Sequence, residues 1–437
     1  MNDKKLLLKP EIQALFSSLS PDRAWSFSHL SHKDTTYLTH GYHRYPAKFI
    51  PQLAARLIEM HSCKGETVLD PFMGSGTTLV EARILGRRSI GIDINPVAHL
   101  IARAKIEAIE SLSLRRAIQD LMYRIFLHKD NALFSDGIAA MKQIEWPERL
   151  RYWFREDILH KLYIIHKEIM FLESHLRTFF ECALSHILKT VSYWNDRTIK
   201  PIRVLNKRIP DPYNAFFKHI KRMEKGNCAY WQILQERHFI DAVATCLLGD
   251  ARQLPLQDEE IDLIVTSPPY VTSYEYANLH QLSALWFGYA DNINSFREGF
   301  IGRTKGLVSN ALPHSHIAQD IIEALMQINP RKANEVACYF SEMHQTFLEW
   351  KRVLRPKGRA AVVIGNTHIS GVEIKNAHVF TEQLQNLGFV LEKTILREIS
   401  GKTLPLTRDK RTGRFTKADQ ASYLAYPTEY ILIFRKD

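Results

Sequence analysis

An apolar run, residues 261–266, ends in four consecutive residues that could do chemistry: Ser267, Pro268, Pro269 and Tyr270. Each proline fixes the backbone and lacks an N–H donor, so the carbonyls beside them are left to accept hydrogen bonds. The hydroxyl of Ser267 can accept one too, and the ring of Tyr270 offers a stacking face for a base taken out of a helix. A strand that simply ends in a proline turn would fit Pro-Pro-Tyr alone. With the serine, the segment predicts a pocket for a flat ring that carries an amino group.

A second pattern lies far upstream, where a short strand leads through a glycine turn into a helix. Gly74 and Gly76 lie in the turn, and another strand, residues 88–93, follows at the spacing of a βαβ unit. Glycine lets the backbone approach a ligand closely, and Asp93 at the next strand end can bind a ribose diol. A dinucleotide site would need a third glycine where Leu79 stands, and a phosphate-binding loop would need a lysine after Gly76. The pattern therefore favours a nucleoside cofactor without phosphates.

The two patterns together resemble those of the amino-group DNA methyltransferases, which use S-adenosylmethionine. Residues 70–76 look like the cofactor loop of that family, and residues 266–270 look like its catalytic motif. Residues 45–51 are similar to the segment that packs against the methionine part of the cofactor. Residues 350–365 are similar to the helix, turn and fifth strand of the same domain. The resemblance implies an α/β fold, with the Rossmann-like sheet of S-adenosylmethionine-dependent methyltransferases and a large helical insertion.

The same resemblance implies roles for individual residues in binding S-adenosylmethionine. Gly74 and Gly76 would give backbone access, Asp93 would contact the ribose and Asp250 the adenine ring. The residues expected to bind the cofactor are Lys48, Phe49, Asp70, Phe72, Gly74, Gly76, Thr77, Thr78, Asp93 and Asp250. Of these, the lysine and the first phenylalanine would close the methionine end.

The expected reaction is direct methyl transfer to an exocyclic amino nitrogen. Ser267 and the carbonyl of Pro268 would hold the amino group, while Tyr270 stacks on the flipped base. In the family, the Ser-Pro-Pro-Tyr form is associated with N4 of cytosine, whereas adenine-modifying relatives more often carry Asp or Asn in place of the serine. Methylation of ring carbon five would need a thiolate, typically just after a proline, and no cysteine here follows a proline. We therefore expect a cytosine-N4 DNA methyltransferase.

The sequence leaves several other functions open. An adenine-N6 methyltransferase would use the same acceptors, and an RNA amino-group methyltransferase would carry a similar basic charge. A Pro-Pro-Tyr pocket can also hold a glutamine amide of a protein. A binding module with an inactive methyltransferase fold is disfavoured, because Gly74, Asp93, Ser267 and Tyr270 are all present.

Composition and charge indicate the kind of partner and the cellular compartment of the protein. The 437-residue chain carries 58 Lys and Arg against 47 Asp and Glu, a formal net charge of +11, which favours a polyanion such as double-stranded DNA. Its five cysteines have no Cys-x-x-Cys spacing, so we expect reduced thiols and no metal site. No apolar run approaches the ~18 residues of a membrane span, and the start is too short for a signal peptide. We expect a cytoplasmic enzyme, which could act beside a cognate restriction endonuclease.

The α/β pattern is interrupted once. We predict an N-terminal arm at residues 1–40, a methyltransferase domain at residues 41–105 and 241–437, and a helical, basic insertion at residues 106–240. The insertion is the candidate DNA-recognition domain.

The strongest positive charge lies in residues 197–225, which carry nine Lys or Arg against two acids. Because prolines and aromatic residues interrupt this segment, we predict a loop that tracks DNA phosphates. Residues 291–313 are a competing base-reading element, and a basic loop between two C-terminal strands, residues 389–397 and 429–434, could clamp the DNA. The candidate DNA-binding residues are Arg197, Lys200, Arg203, Lys207, Arg208, Lys221, Arg222, Arg408, Lys410 and Arg411.

Overall fold

A computed structural model gives the fold of the protein. The residues it describes are 7–45, 49–131, 145–198, 200–271, 276–302, 313–399, 407–408, 423–424 and 428–437. The strands are β1 (Thr67–Asp70), β2 (Arg88–Asp93), β3 (Ala244–Leu248), β4 (Ile261–Thr266), β5 (Leu354–Ile364), β6 (Thr367–Ile369), β7 (Val372–Ile374), β8 (Phe389–Glu398), β9 (Thr407–Arg408), β10 (Tyr423–Leu424) and β11 (Thr428–Lys436).

A seven-stranded sheet runs in the order β3-β2-β1-β4-β5-β11-β8. Strands β1 to β5 are parallel to one another, and β11 is antiparallel to both of its neighbours, β5 and β8. The predicted α/β fold with a Rossmann-like sheet is confirmed, including the two C-terminal strands.

The chain order of the strands reverses at β1, which pairs with β2 on one side and with β4 on the other. The connections therefore leave the carboxyl ends of β1 and β4 in opposite directions and open a crevice between them. Asp70 is the last residue of β1, and Ser267 follows the last residue of β4. The topology thus brings the two sequence patterns to one place.

Helices cover both faces of the sheet. They are α1 (Lys9–Ser17), α2 (Pro51–His61), α3 (Thr77–Ile84), α4 (Pro96–Ile106), α5 (Ser111–Asn131), α6 (Glu148–Trp153), α7 (Glu156–Met170), α8 (Ser174–Leu188), α9 (Pro212–Glu236), α10 (Tyr276–Trp286), α11 (Ile293–Arg297), α12 (His316–Met326), α13 (Pro330–Val353) and α14 (Asn376–Asn386). Alternate strand residues point to opposite faces, so Leu263 and Ile431 lie in one core while Ile264 and Leu432 lie in the other. None of these helices, as far as the described residues extend, has the length and apolar character needed to cross a membrane.

The insertion between β2 and β3 shares its hydrophobic core with the methyltransferase domain. Its buried Phe180 and Trp194 share one hydrophobic core with Val97 of α4 and with Leu282 and Trp286 of α10. The insertion therefore rests on the two helices that follow the cofactor strand and the catalytic motif.

One part of the insertion differs from the prediction, since residues 212–225, expected as a loop, form the first half of α9. Pro212 occupies the first helical position, where its missing N–H does no harm, and the side chain of Asp211 accepts a hydrogen bond from the N–H of Asn214 at 3.1 Å. Phe216, expected to be interleaved with the surface charge, is buried in the core. The prolines mark the beginning of a helix.

The N-terminal residues 7–40 lie along the methyltransferase layer. The ring of Phe16 stacks on His378 of α14 with the centroids 4.0 Å apart. Further along, the hydroxyl of Tyr37 donates to the buried carboxyl group of Glu81 in α3 at 2.6 Å. This segment therefore contributes to the cover of the sheet.

The cap of α9 can be tested by substitution. Asp211→Ala should lower the free energy of unfolding by about 1–2 kcal/mol, because it removes the capping oxygen. Asp211→Asn keeps that oxygen but loses the ion pair with Lys161, whose ammonium lies 2.7 Å away. It should have less than half the effect, since exposed ion pairs contribute little. Urea denaturation followed by circular dichroism measures both, and equal losses would assign the stabilisation to the charge.

Candidate active site

A cavity occupies the crevice between β1 and β4, and residues of both sequence patterns line it. The predicted residues in its wall are Phe49, Asp70, Phe72, Gly74, Thr77, Asp93, Asp250, Ser267, Pro269 and Tyr270. Lys48 lies outside the described residues. Within the described ranges, no group of three or more His, Cys, Asp or Glu side chains could hold a metal ion.

The glycine turn is fixed by Asp93 at the end of β2. One oxygen of this carboxyl group accepts the N–H of Gly74 at 2.9 Å, and the other accepts the N–H of Asn95 at 2.9 Å. Gly74 has a φ of +47°, and a Cβ atom there would lie 3.2 Å from the ring of Tyr45. The turn therefore needs glycine at this position. Burial raises the pKa of Asp93 to about 6.

Gly76 and Thr78, both predicted to bind the cofactor, make packing and hydrogen-bond contacts within the protein. A Cβ atom on Gly76 would lie 2.9 Å from the Cβ of Ala102, so this glycine permits close packing of α3 on α4. Thr78 points inward, where its hydroxyl donates to Asp70 at 2.7 Å and to the carbonyl of Val265 at 3.2 Å. In the described structure neither residue lines the cavity.

Asp70 joins the two motifs through hydrogen bonds. Its buried carboxyl group accepts from the hydroxyl of Thr78 in α3 and, at 2.6 Å, from the hydroxyl of Thr266, the residue before the catalytic serine. The N–H of Phe72 also donates to it at 3.1 Å. Burial raises the pKa of Asp70 to about 6, and these hydrogen bonds oppose the rise. The sequence motif includes Thr266, but the strand position of this residue gives no hint of its polar partner.

Two hydroxyl groups at the start of α3 fit a bound ligand. The Oγ of Ser75 and the Oγ1 of Thr77 are buried and have no hydrogen-bond partner in the described part of the protein, although both residues line the cavity. A buried hydroxyl without a partner is costly. The N-terminus of a helix also favours a negative group. These atoms therefore suit the amino-acid end of S-adenosylmethionine.

Asp250 follows β3 and is already paired. Its oxygens accept from the guanidinium group of Arg252, the shortest contact being 2.6 Å, and that guanidinium also binds Glu342 of α13. The backbone N–H of Arg252 also donates to this carboxylate at 2.9 Å, so Arg252 already engages most of its roughly four acceptor positions. Sequence reasoning did not anticipate this ion-pair network.

A hydrogen bond from α13 fixes the backbone of the Ser-Pro-Pro-Tyr motif. The hydroxyl of the buried Tyr339 donates to the carbonyl of Pro269 at 2.8 Å. Among the described residues, the carbonyl of Pro268 accepts no backbone hydrogen bond. Ser267 and Pro269 line the cavity on a backbone that the tyrosine fixes, whereas Pro268, predicted to hold the base with Ser267, is not part of the described cavity wall.

Tyr270 is supported by the antiparallel end of the sheet. Its hydroxyl donates to Glu429 of β11 at 3.4 Å, and the other oxygen of this carboxylate lies 3.4 Å from the guanidinium of the buried Arg397 in β8. A Cβ atom on Gly365 would lie 3.1 Å from the tyrosine ring, so the ring packs directly on that backbone. Neither charged residue carried a signal in the sequence.

Tyr45 and Tyr276 are aromatic residues of the cavity wall that the predicted set did not include. Tyr45 and Tyr276 stack with their centroids 6.0 Å apart, and both line the wall. Tyr45 belongs to the segment that the family resemblance singled out, whereas Tyr276 lies at the start of α10, outside any motif. Arg297 also lines the wall, so part of the segment 291–313 reaches the site. Residues 303–312 of that segment lie outside the described ranges.

The predicted DNA-binding residues of the insertion divide by exposure. Five of them are exposed: Arg197, Lys200, Arg208, Lys221 and Arg222. Lys207 instead turns inward with 10% of its side chain exposed, and its ammonium donates to the carbonyls of Lys189 and Trp194. Arg203 lies over the ring of Tyr152 at 4.3 Å. Lys410, Arg411 and the side chain of Arg408 lie outside the described residues.

The sequence matches the model of an N6/N4 methyltransferase family, described as DNA methylase, over residues 13–104 and 261–437, most of the chain outside the insertion. It is 29% identical over 394 residues to the type II methyltransferase M.MvaI of Kocuria varians, covering 85% of this chain and 86% of that protein. It is 24% identical over 408 residues to the type II methyltransferase M.BsoBI of Geobacillus stearothermophilus, covering 80% and 78%.

Solved structures resemble it more loosely. A putative methyltransferase from Bacillus halodurans is 10% identical and covers 88% of this chain and 98% of its own, with a TM-score of 0.33. A putative DNA modification methylase from Thermus thermophilus, complexed with S-adenosyl-L-methionine, is 18% identical and covers 43% and 53%, with a TM-score of 0.22. At such scores the sheet order is the better evidence for the fold.

The ionisation of Asp93 predicts how ligand binding depends on pH. Because its pKa is raised to about 6, the carboxyl group is protonated below pH 6 and becomes a poorer acceptor for a ribose hydroxyl. Affinity for S-adenosylhomocysteine should therefore be about tenfold lower at pH 5 than at pH 8. Asp93→Asn should bind weakly at both pH values without this change. Isothermal titration calorimetry measures it, and a full pH dependence in the variant would assign the titration to Asp70.

The support of Tyr270 by Glu429 can be tested by a double-mutant cycle. Glu429→Ala and Tyr270→Phe should each lower kcat/KM for methyl transfer to DNA by about tenfold, the usual effect of losing one hydrogen bond to a charged group. The double variant should lose no more than either single variant, because both remove the same contact. Additive losses would show that the two residues act separately. S-adenosylhomocysteine affinity is the control and should stay unchanged.

Proposed function

The chain belongs to the N6/N4 DNA methylase family and so transfers methyl groups from S-adenosylmethionine to exocyclic amino groups of DNA bases; we propose that its target is N4 of cytosine in double-stranded DNA. The observation that carries the proposal is the position of Ser267, beside the same cavity as the cofactor loop. We further propose that it is a cytoplasmic, type II modification enzyme paired with a restriction endonuclease. Its similarity to proteins named as type II methyltransferases supports that context.

In this proposal the first half of the cavity holds the cofactor. S-adenosylmethionine supplies a methyl group already activated by the positive sulfur. Asp93 accepts from the ribose hydroxyls, and the glycine turn brings the backbone of Gly74 close to the ligand. The hydroxyls of Ser75 and Thr77, which have no partner among the described residues, bind the amino-acid end. Asp250 remains the candidate for the adenine amino group, from a position fixed by Arg252.

The second half of the cavity holds the target base. The amino group of the base has two N–H donors, and the hydroxyl of Ser267 and the carbonyl of Pro268 offer two acceptors. These contacts orient the nitrogen and strengthen as it gains positive charge, so they stabilise the transition state more than the bound base. The N–C bond forms as the S–C bond breaks, the electron pair stays on sulfur, and the nitrogen releases one proton to water. Tyr270 stacks on the ring.

The preference for cytosine rests on Ser267. The Ser-Pro-Pro-Tyr form of the motif is the one associated with cytosine N4, and adenine-modifying relatives more often carry Asp or Asn at this position. The acceptor geometry at Ser267 and Pro268 suits either amino group, so the product must be identified directly.

Transfer of labelled methyl groups to unmethylated bacteriophage DNA of mixed sequence, followed by nucleoside identification, tests the proposal. We expect the label on N4-methylcytosine. Ser267→Ala should lower kcat roughly 10- to 1000-fold and leave S-adenosylhomocysteine affinity unchanged, because it removes an acceptor needed mainly in the transition state. Ser267→Thr, which keeps the hydroxyl, is the matched control. Label found only on adenine would reject cytosine as the target, and label on ring carbon five would reject the mechanism.

A further inference from the structure

Residues 193–208 form what we call the basic hairpin, of which residue 199 lies outside the described part. The N–H of Asn195 donates to the carbonyl of Ile202 at 2.9 Å, and the N–H of Val204 donates to the carbonyl of Tyr193 at 2.8 Å. The segment carries five Lys or Arg against one Asp. It is therefore a short, strongly positive antiparallel turn on the insertion.

The basic hairpin is firmly anchored. The indole ring of Trp194 is buried and stacks on Trp153 with the centroids 5.3 Å apart. The ammonium of Lys207 donates to the carbonyl of Trp194 at 2.7 Å, and the ammonium of Lys189 donates to the carbonyl of Thr198 at 2.6 Å. Lys207, which the sequence predicted to contact DNA, and Lys189 thus fix the backbone of the hairpin.

Two large apolar side chains stay exposed on this fixed element. Ile202 is 48% exposed and Leu205 is 67% exposed, and the exposed cations Lys200 and Arg208 lie close to them in sequence. Single apolar residues on a surface are ordinary. A pair of apolar side chains on an anchored, strongly basic turn suits a partner that carries negative charge on its outside and has apolar faces between its stacked rings.

The basic hairpin is also connected to the active site. The guanidinium of Arg203 lies 4.3 Å from the ring of Tyr152, and that of Arg149 lies 5.3 Å from the same ring. Arg149 lines a cleft together with Asn278, Asp291 and Arg297, and Arg297 also lines the active-site cavity. A series of neighbouring side chains therefore leads from the hairpin to the wall of the cavity.

A second connection runs through the N-terminal segment. The guanidinium of Arg44 donates to the carbonyl of Asp196 in the hairpin at 3.4 Å. The next residue, Tyr45, lines the active-site cavity and covers the glycine turn at Gly74. Two sets of contacts therefore link the hairpin to residues that line the cavity.

We propose that Ile202 and Leu205 form an apolar wedge that enters the DNA stack beside the target base when that base turns into the cavity. This rests on the proposed function, because only a duplex substrate requires a base to leave its stack. Inserted leucine and isoleucine side chains can occupy opened base steps in this way. Lys200 and Arg208 bind the flanking phosphates, and Arg203, stacked on Tyr152, continues the path towards the catalytic motif.

Paired substitutions separate the wedge from its surroundings. Ile202→Ser with Leu205→Ser should lower kcat/KM on the mixed-sequence bacteriophage duplex by at least about tenfold, the loss expected when an opened base step is left unfilled. Ile202→Leu with Leu205→Met keeps apolar bulk and should stay within about threefold of wild type, as should Leu348→Ala, a control leucine that is 46% exposed on α13. Thermal stability and S-adenosylhomocysteine affinity should be unchanged in all three.

Salt dependence distinguishes the wedge from the cations around it. Neutralising Lys200 and Arg208 should flatten the plot of log affinity against log salt by up to about 0.9 per contact, whereas the double serine variant should keep the wild-type slope. Activity of the double serine variant within threefold of wild type would overturn the wedge. So would a wild-type dimer that becomes monomeric in that variant, since the apolar pair would then be a subunit contact. A wild-type enzyme that methylates RNA but no duplex DNA would instead reject the proposed function.

Discussion

The arrangement of the site depends on the hydrogen bonds that the buried carboxyl group of Asp70 accepts. Asp70 ends β1, receives the hydroxyl of Thr78 from the helix after the glycine turn, and receives the hydroxyl of Thr266 from the strand before the catalytic serine. A buried carboxyl group is tolerated only when its oxygens are satisfied, which is why three donors surround it. One group therefore fixes the cofactor turn and the base-binding motif relative to each other. In-line methyl transfer demands this relation, because a small displacement of either reactant lowers the rate steeply.

The parts of the site closest to the reaction carry few strong contacts of their own, and the surrounding layers supply them. Tyr339 holds the carbonyl of Pro269, Glu429 accepts from the hydroxyl of Tyr270 and is paired with Arg397, and the backbone at Gly365 packs against the tyrosine ring. These groups come from α13, from strands β8 and β11 and from the residue after β5. The antiparallel end of the sheet thus fixes the orientation of the Tyr270 ring, which we propose stacks on the base.

The insertion shares its core with α4 and α10, which follow the cofactor strand and the catalytic motif. Hydrophobic burial therefore couples the predicted DNA-recognition domain to both halves of the active site, because apolar packing leaves little room for independent motion. The same packing explains why two lysines of the insertion turn inward. Lys189 and Lys207 stabilise backbone carbonyls around Trp194, and desolvation lowers the pKa of both lysines, that of Lys189 to about 8.

The sequence by itself determined the α/β fold, the two motifs and the family, because strand periodicity, the glycine turn and Ser-Pro-Pro-Tyr are local patterns set by backbone geometry and side-chain chemistry. It also identified Asp93, whose place at a strand end follows from the same local pattern. Only the tertiary structure decided which polar groups meet. Tyr339, Glu429 and Arg397 reach the site from distant segments, Thr266 finds its partner Asp70 on another strand, and the packing of Gly76 on Ala102 depends on how two helices cross. For the same reason, positive charge in the sequence does not show where a lysine side chain will lie. A lysine that binds a phosphate and a lysine that donates to a buried carbonyl are identical in sequence, and only their burial separates them.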